Sequence, residues 1–147
     1  MYRNAINTLI QWKLGKKRKP LILLGARQVG KTWLMKEFGS AEYKQMVYVN
    51  FEEETKLQDL FLSDFNISRI ITALQAFVGF VIEPAETLIV FDEIQSAPKG
   101  ITSLKYFCEN APQYHVIASD SLLGMALHQK VSLRSWQKKT ENLFTEL

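Results

Sequence analysis

A lysine and a threonine that follow a glycine-bounded loop are the residues of this chain best suited to phosphate chemistry. Residues 25–32 read G-A-R-Q-V-G-K-T. Glycines let the backbone bend around an anion, and the N–H groups that open the next helix point toward phosphates. Lys31 would contact the β- and γ-phosphates, and the hydroxyl of Thr32 would ligate Mg²⁺. This Walker A pattern predicts a P-loop that binds a nucleoside triphosphate. The predicted nucleotide-binding residues are Gly25, Ala26, Arg27, Gln28, Val29, Gly30, Lys31, Thr32 and Trp33.

Two adjacent carboxylates supply the other half of the predicted chemistry. Asp92 and Glu93 follow the apolar run T-L-I-V-F, which is a Walker B pattern. In a parallel sheet they would lie on the same edge as the loop, because the carboxyl ends of the strands meet there. Asp92 would hold the metal, and Glu93 would polarise the attacking water. The sequence contains no N-K-x-D segment for reading guanine, and small-molecule kinases usually lack the adjacent glutamate. We therefore expect ATP hydrolysis that drives a conformational change.

Three polar residues after a later strand could complete this site. Ser119, Asp120 and Ser121 follow H-V-I-A. A hydroxyl here, that of Ser121 in particular, could hydrogen-bond the γ-phosphate or the attacking water. The same residues could instead cap a short helix over 122–128. The residues alone leave both readings open.

Strands that alternate with helices would position these groups. Apolar residues from Tyr2 to Leu14 recur at helical spacing, and a second apolar stripe follows Ser68, which could cap its helix. Alternation of this kind predicts an α/β fold with a parallel sheet covered on both faces, a three-layer P-loop NTPase fold. The predicted strands are 21–24, 46–51, 87–91 and 115–118, and the other predicted helices span 32–38 and begin at Pro98.

Length and composition fit one globular domain. The chain has 147 residues, of which 47% are hydrophobic and 22% are charged. No run approaches the length of a membrane-spanning helix, and the first residues do not resemble a secretory signal. The single cysteine, Cys108, fits a reducing compartment and a place in the core. We expect a cytoplasmic protein without membrane contact.

Basic residues cluster before the first strand, at Lys13 and over Lys16–Lys19. Such a cluster can bind nucleic acid through its phosphates. It can equally be a solvated linker between a helix and a strand. Nucleic-acid contact is therefore an expectation that salt dependence would test.

Four segments together resemble the AAA-type ATPase domain of a large prokaryotic family of ATP-binding proteins. The segments are R-K-P-L-I-L-L-G-A-R-Q-V-G-K-T, V-Y-V-N-F-E-E, T-L-I-V-F-D-E-I-Q and S-L-K-Y-F-C-E-N-A-P-Q-Y-H-V-I-A. The resemblance spans about Ile6 to Val131. It implies a sheet ordered 5-1-4-3-2, bound ATP and Mg²⁺, self-association that completes the site, and a prokaryotic origin. It gives Lys31, Glu93 and Ser121 catalytic roles and makes Thr32 and Asp92 metal ligands.

Three further positions can be compared with the family's pattern. Asn50 and Glu52 match a family motif at the end of strand two. Asp120 stands where the family usually has glycine, and its carboxylate would repel the γ-phosphate unless it turned away.

The last residues depart from the family's pattern. After Ser132 the family would continue into a fifth strand and further helices, whereas this chain reads L-R-S-W-Q-K-K-T-E-N-L-F-T-E-L. We interpret residues 1–131 as the ATP-binding domain and 132–147 as a divergent tail. We expect a truncated ATPase without strand five, in which strand one would be an exposed edge. The alternative function is a non-hydrolysing nucleotide-binding or interaction module.

Overall fold

A parallel sheet with helices on both faces forms the protein. The computed structural model describes residues 2–25, 30–121 and 144–146. Two single-turn 3₁₀ segments, Thr55–Leu57 and Ile94–Ser96, lie between the main elements. In chain order the helices and strands are α1 (Tyr2–Leu14), β1 (Leu21–Leu24), α2 (Lys31–Glu42), β2 (Gln45–Asn50), α3 (Ile67–Val78), β3 (Thr87–Asp92), α4 (Gly100–Asn110), β4 (His115–Asp120) and β5 (Phe144–Glu146).

The order of the strands confirms the predicted topology. The sheet runs β2-β3-β4-β1-β5, and every described pair is parallel. This is the expected order 5-1-4-3-2, with the α/β class as predicted. It places β1 beside β4, and β4 beside β3, so the segments that follow these three strands meet at one edge.

The expectation that strand five is missing was wrong. Backbone pairs join Ile22 to Phe144, Leu23 to Thr145 and Leu24 to Glu146, so β1 is not the edge of the sheet. A strand of three residues is too short for an alternating pattern to be recognised in the sequence. Its pairing depends on backbone groups, which side-chain patterns do not report.

Two apolar layers cover the sheet. On one face, α1 and α2 contribute Leu9, Leu34 and Phe38, which pack on Leu88, Val90 and Ile117. On the other face, α3 and α4 pack on the alternate residues of the strands. That layer includes Val47, Val49, Ile70, Leu74, Ile89, Phe91, Leu104, Phe107, Val116 and Ala118. Strands β3 and β4, and most of β1, are therefore buried on both sides, which explains their apolar runs, whereas residues alternate between buried and partly buried along β2.

Several boundaries differ from the sequence-based prediction. Strands β3 and β4 extend through Asp92 and Asp120, which brings the polar residues into the sheet itself. The cap of α3 is Asn66 rather than Ser68, since the Asn66 side chain accepts a hydrogen bond from the N–H of Arg69. Leu14 is 71% exposed and does not belong to the buried stripe of α1. The helix expected over 122–128 lies outside the described residues.

The single cysteine lies on α4. Cys108 is partly buried and packs against the core beneath α3 and α4, and burial raises the pKa of its thiol. It therefore packs at the margin of the core and not within it. Among the described helices, none has both the length and the apolar character needed to cross a bilayer.

Candidate functional site

The end of β1 and the start of α2 form one side of the site. Gly30 caps α2 in the left-handed conformation, with φ 83° and ψ 14°, where a side chain would be strained. Its carbonyl accepts the first helical hydrogen bond, from the N–H of Leu34 at 3.0 Å. The first turn of a helix attracts anions through its N–H groups and its dipole. Predicted nucleotide-binding residues 26–29 lie outside the described residues, so the structure describes only the two ends of the loop.

Lys31 lies buried between two strand ends. Its side chain is 5% exposed, and Nζ donates to the carbonyl oxygens of Gly25 at 2.7 Å and Asp120 at 3.1 Å. These contacts bring the ammonium group to the edge where β1 and β4 end. An ammonium group at this edge, beside the first turn of α2, is suited to contact phosphate oxygens.

Asp92 lies at the centre of the site. Its Oδ2 accepts from Thr32 Oγ1 at 2.6 Å and from Tyr48 Oη at 2.5 Å, and its Oδ1 accepts from Ser119 Oγ at 2.5 Å. The carboxylate is 1% exposed, so these three hydroxyl groups replace its lost hydration. The structure therefore brings together Thr32 and Asp92, the two predicted metal ligands.

Tyr48 is a member of this cluster that sequence reasoning missed. Burial, followed by the hydrogen bond to Asp92, raises the pKa of the phenol, so it stays protonated as a donor. Lys36 Nζ lies 4.2 Å from the centre of its ring. The available signal was its place on β2, two residues before Asn50 and therefore on the same face of the sheet.

The donor set fits Mg²⁺. Magnesium prefers oxygen ligands and usually binds through one or two side chains, several waters and substrate phosphates. A threonine hydroxyl beside an aspartate carboxylate, next to a helix start and a buried lysine, supplies such a set. The oxygens of Thr32 and Asp92 would hold the ion.

Glu93 is fixed at both its backbone and its side chain. Its backbone is left-handed, with φ 54° and ψ 48°, and its N–H donates to Ser119 Oγ at 2.9 Å. Its Oε2 accepts from Ser121 Oγ at 2.5 Å and from Gln95 Nε2 at 2.6 Å. A positive φ is uncommon outside glycine, so the surrounding contacts must hold it. Ser121 therefore lies beside Glu93, as predicted, whereas Gln95 was given no role from the sequence.

The sequence did not predict which face of the sheet Asp120 occupies or what the side chain of Asn50 contacts. Residues alternate along β4, so Asp120 lies on the face opposite Ser119 and the Asp92 cluster. Asn50 closes the turn after β2, because its Oδ1 accepts from the N–H of Glu52 at 2.9 Å. The capping role considered for Asp120 and Ser121 would involve residues outside the described ranges.

Part of the basic segment serves the fold. Arg18 donates to the carbonyl groups of Lys13 at 3.2 Å and Pro112 at 3.4 Å, and Trp12 Nε1 donates to the carbonyl of Lys19 at 2.5 Å. These contacts attach the segment to the ends of α1 and α4. Lys16 and Lys17 are exposed.

Two solved structures have a similar fold and can be compared with this one. The Orc1 protein of Aeropyrum pernix, solved in complex with DNA, superposes with a TM-score of 0.56 at 17% identity, over 99% of this chain and 43% of that one. PCH-2 of C. elegans gives a TM-score of 0.51 at 10% identity, over 99% of this chain and 40% of that one. This chain thus spans less than half the length of either. These likenesses show the fold alone. No curated protein sequence matches the chain.

The chain also matches a family of sequences, and this match identifies the family to which it belongs. The model of the family described as AAA domain matches residues 17–141, which is most of the chain and extends beyond residue 131. Nucleotide binding is what membership implies, and Gly30, Lys31 and the Asp92 cluster lie together at one edge of the sheet. The chain belongs to the AAA domain family.

Proposed function

We propose that this chain binds Mg²⁺·ATP and hydrolyses it, and that hydrolysis changes the conformation of the nucleotide-binding edge. The observation that carries the proposal is the single hydrogen-bonded network formed by Thr32, Asp92, Ser119 and Glu93. Through Ser119 it joins the predicted metal ligands to the backbone N–H of Glu93, the residue predicted to act as the base. Lys31 lies at the same edge, where its ammonium group is suited to contact phosphate oxygens.

Lys31, Glu93 and Ser121 would each contribute to the reaction. Lys31 would stabilise negative charge on the β- and γ-phosphates, and Glu93 would orient a water and accept its proton. As the water oxygen bonds to the γ-phosphorus, the bond to the bridging oxygen breaks, and ADP leaves with the electron pair. When bound, Mg²⁺ neutralises part of the phosphate charge. Ser121 donates to Glu93 Oε2 and would help to hold that carboxylate in place during the reaction.

Phosphate release from Mg²⁺·ATP tests the proposal. We expect turnover in the wild-type chain and its loss, by a factor of about 100 or more, in Glu93→Gln. Lys31→Ala should lose both turnover and the rise in melting temperature that ATP gives, whereas Glu93→Gln should keep that rise. The exposed residues Glu109 and Lys56 supply matched controls, Glu109→Gln and Lys56→Ala, which should behave as wild type.

Other outcomes would contradict specific parts. ATP stabilisation without turnover in any version would support the non-hydrolysing nucleotide-binding module instead. The absence of any thermal response to ATP would contradict nucleotide binding. Turnover that persists in Glu93→Gln would contradict the role of Glu93.

Nucleic-acid contact is a second candidate, favoured by two observations. Lys16 and Lys17 are exposed beside a segment fixed to the body of the protein, and a protein of similar fold was solved with DNA. We propose that this contact, if made, increases turnover. Adding duplex DNA to the same assay tests it, because stimulation through phosphate contacts should weaken as salt rises.

Self-association and a cytoplasmic, prokaryotic setting remain expectations carried by the family. An arginine from a second copy of the chain would complete the site only in the assembled protein. The rate of phosphate release per chain should then increase with protein concentration. The same assay over a series of concentrations measures this.

A further inference from the structure

Gln95 lies in the turn that connects β3 to α4. The turn Ile94–Ser96 follows Glu93 directly, and it is closed by hydrogen bonds from the N–H of Ser96 to the Glu93 carbonyl and from the N–H of Ala97 to the Ile94 carbonyl, each 3.0 Å. Ile94 is fully buried and anchors the turn in the core. The backbone that carries Gln95 is therefore fixed relative to Glu93.

The side chain of Gln95 returns to the carboxylate two residues before it. Its Nε2 lies 2.6 Å from Glu93 Oε2 and 3.5 Å from Ser121 Oγ, and Ser121 Oγ donates to the same Oε2 at 2.5 Å. Two donors, one on the turn and one after β4, thus hold a single oxygen of Glu93. Among the described residues none donates to the other oxygen, Oε1, which is the one that would act on a water.

The second polar atom of Gln95 argues against a space-filling role. Its Oε1 is buried and accepts no hydrogen bond from any described residue. Turning the amide over would place this oxygen against the Glu93 carboxylate, where two acceptors would repel each other, so the contact with Glu93 sets the orientation. A side chain that only filled the turn would be better apolar, because a buried acceptor without a donor is unfavourable.

We propose that Gln95 is a positioning residue that, together with Ser121, orients the Glu93 carboxylate for hydrolysis. The proposal rests on the proposed function, since it concerns how Glu93 performs its part. Gln95 acts through Glu93, and its contribution should disappear when Glu93 can no longer act as a base.

Kinetics of Gln95→Met and Gln95→Glu test this role. Gln95→Met should lower kcat about tenfold, the loss expected for one hydrogen bond to a charged group, while KM for ATP and stabilisation by ATP stay unchanged. Gln95→Glu should also move the acidic limb of the rate–pH profile to higher pH, because adjacent carboxylates resist simultaneous ionisation. Gln113→Glu, an equal change of charge at an exposed position, is the matched control and should leave both unchanged.

A double variant separates positioning from an independent effect. In the Glu93→Gln background, adding Gln95→Met should cause no further loss of turnover. A further tenfold loss of turnover in the double variant would overturn the proposal. An unchanged kcat in Gln95→Met would also overturn it, as would a tenfold rise in its KM for ATP.

A measurement without ATP keeps this proposal distinct from the proposed function. If the wild-type chain shows no turnover, the proposed hydrolysis fails, and the contact itself is then read by NMR. The side-chain amide resonance of Gln95, identified by its absence in Gln95→Glu, should shift between wild type and Glu93→Gln. A resonance that is the same in both would overturn the contact.

Discussion

His115 shows how strongly a single buried side chain depends on its partners. It is 5% exposed at the start of β4, its Nδ1 lies 2.5 Å from the hydroxyl of Tyr43, and the ring of Trp12 meets it edge-on. Burial, with the positive charges of Arg18 and Lys13, lowers its pKa from 6.5 to about 4. The imidazole is therefore neutral in the folded protein at neutral pH.

This shift predicts how stability depends on pH. In the unfolded chain the imidazole binds a proton below about pH 6.5, whereas in the folded chain it does so only below about pH 4. The free energy of unfolding should thus fall as pH drops between these values, by about 2 kcal/mol from pH 7 to pH 5. Urea unfolding at those two values should show a smaller fall in His115→Gln, which keeps an acceptor for Tyr43. Equal falls in both proteins would contradict the shift.

The residues whose roles follow from type and spacing are those of the P-loop and the D-E pair. Roles for Lys31, Thr32, Asp92 and Glu93 could be predicted because such residues at this spacing are unusual outside such sites. Tyr48 and Gln95 could not, since a tyrosine in a strand and a glutamine after one have many ordinary explanations. Only the contacts with Asp92 and Glu93 distinguish them.

At the scale of elements, helix α3 shows how a boundary is set by one side chain. Asn66 Oδ1 accepts from the N–H of Arg69 at 3.0 Å, and Arg69 in turn donates to Asp64 Oδ1 at 2.8 Å. Ser68, which the sequence also offers as a cap, lies inside the helix and is exposed. Both residues are good caps by type, so only the backbone decides between them.

Replacing each of them by alanine tests this assignment. Asn66→Ala should lower the free energy of unfolding by about 1 kcal/mol, because an N–H at the helix start loses its acceptor. Ser68→Ala should cost nothing, since alanine is the better residue inside a helix. Urea unfolding measures both, and a larger loss in Ser68→Ala would reverse the assignment.

The existence and type of the longer elements were predictable, and their ends were not. The pattern of apolar residues located four helices and four strands. A helix buries one apolar stripe, and an inner strand of the sheet buries its side chains on both faces. Periodicity carries no information on whether β3 stops at Phe91 or at Asp92. That single residue decides whether Asp92 belongs to the sheet and so faces Thr32.

At the scale of the whole molecule, the fifth strand closes the side of the sheet that carries the P-loop. β1 pairs with β4 on one side and with β5 on the other, so its backbone is bonded on both sides. The apolar pattern of the last residues did not reveal this, since the pairing is made by backbone groups alone.

Shortening the chain tests the contribution of β5. A version ending at residue 143 should lose about 2 kcal/mol of stability, from a few backbone hydrogen bonds, and should aggregate more readily through the exposed edge of β1. A version ending at residue 146 removes Leu147 only and serves as the control. Denaturant unfolding and light scattering measure the two effects, and identical behaviour of both versions would contradict them.

The pairing of β1 with β4 also constrains the order of events during synthesis. Leu21 pairs with Ile117, so the strand that leads into the P-loop is made early but finds its partner only after α4 has left the ribosome. Contacts so distant in sequence form slowly, because a long loop must close first. The ability to bind ATP should therefore arise late in folding. Added nucleotide would stabilise the sheet once it has formed, and it would not speed the formation of the sheet.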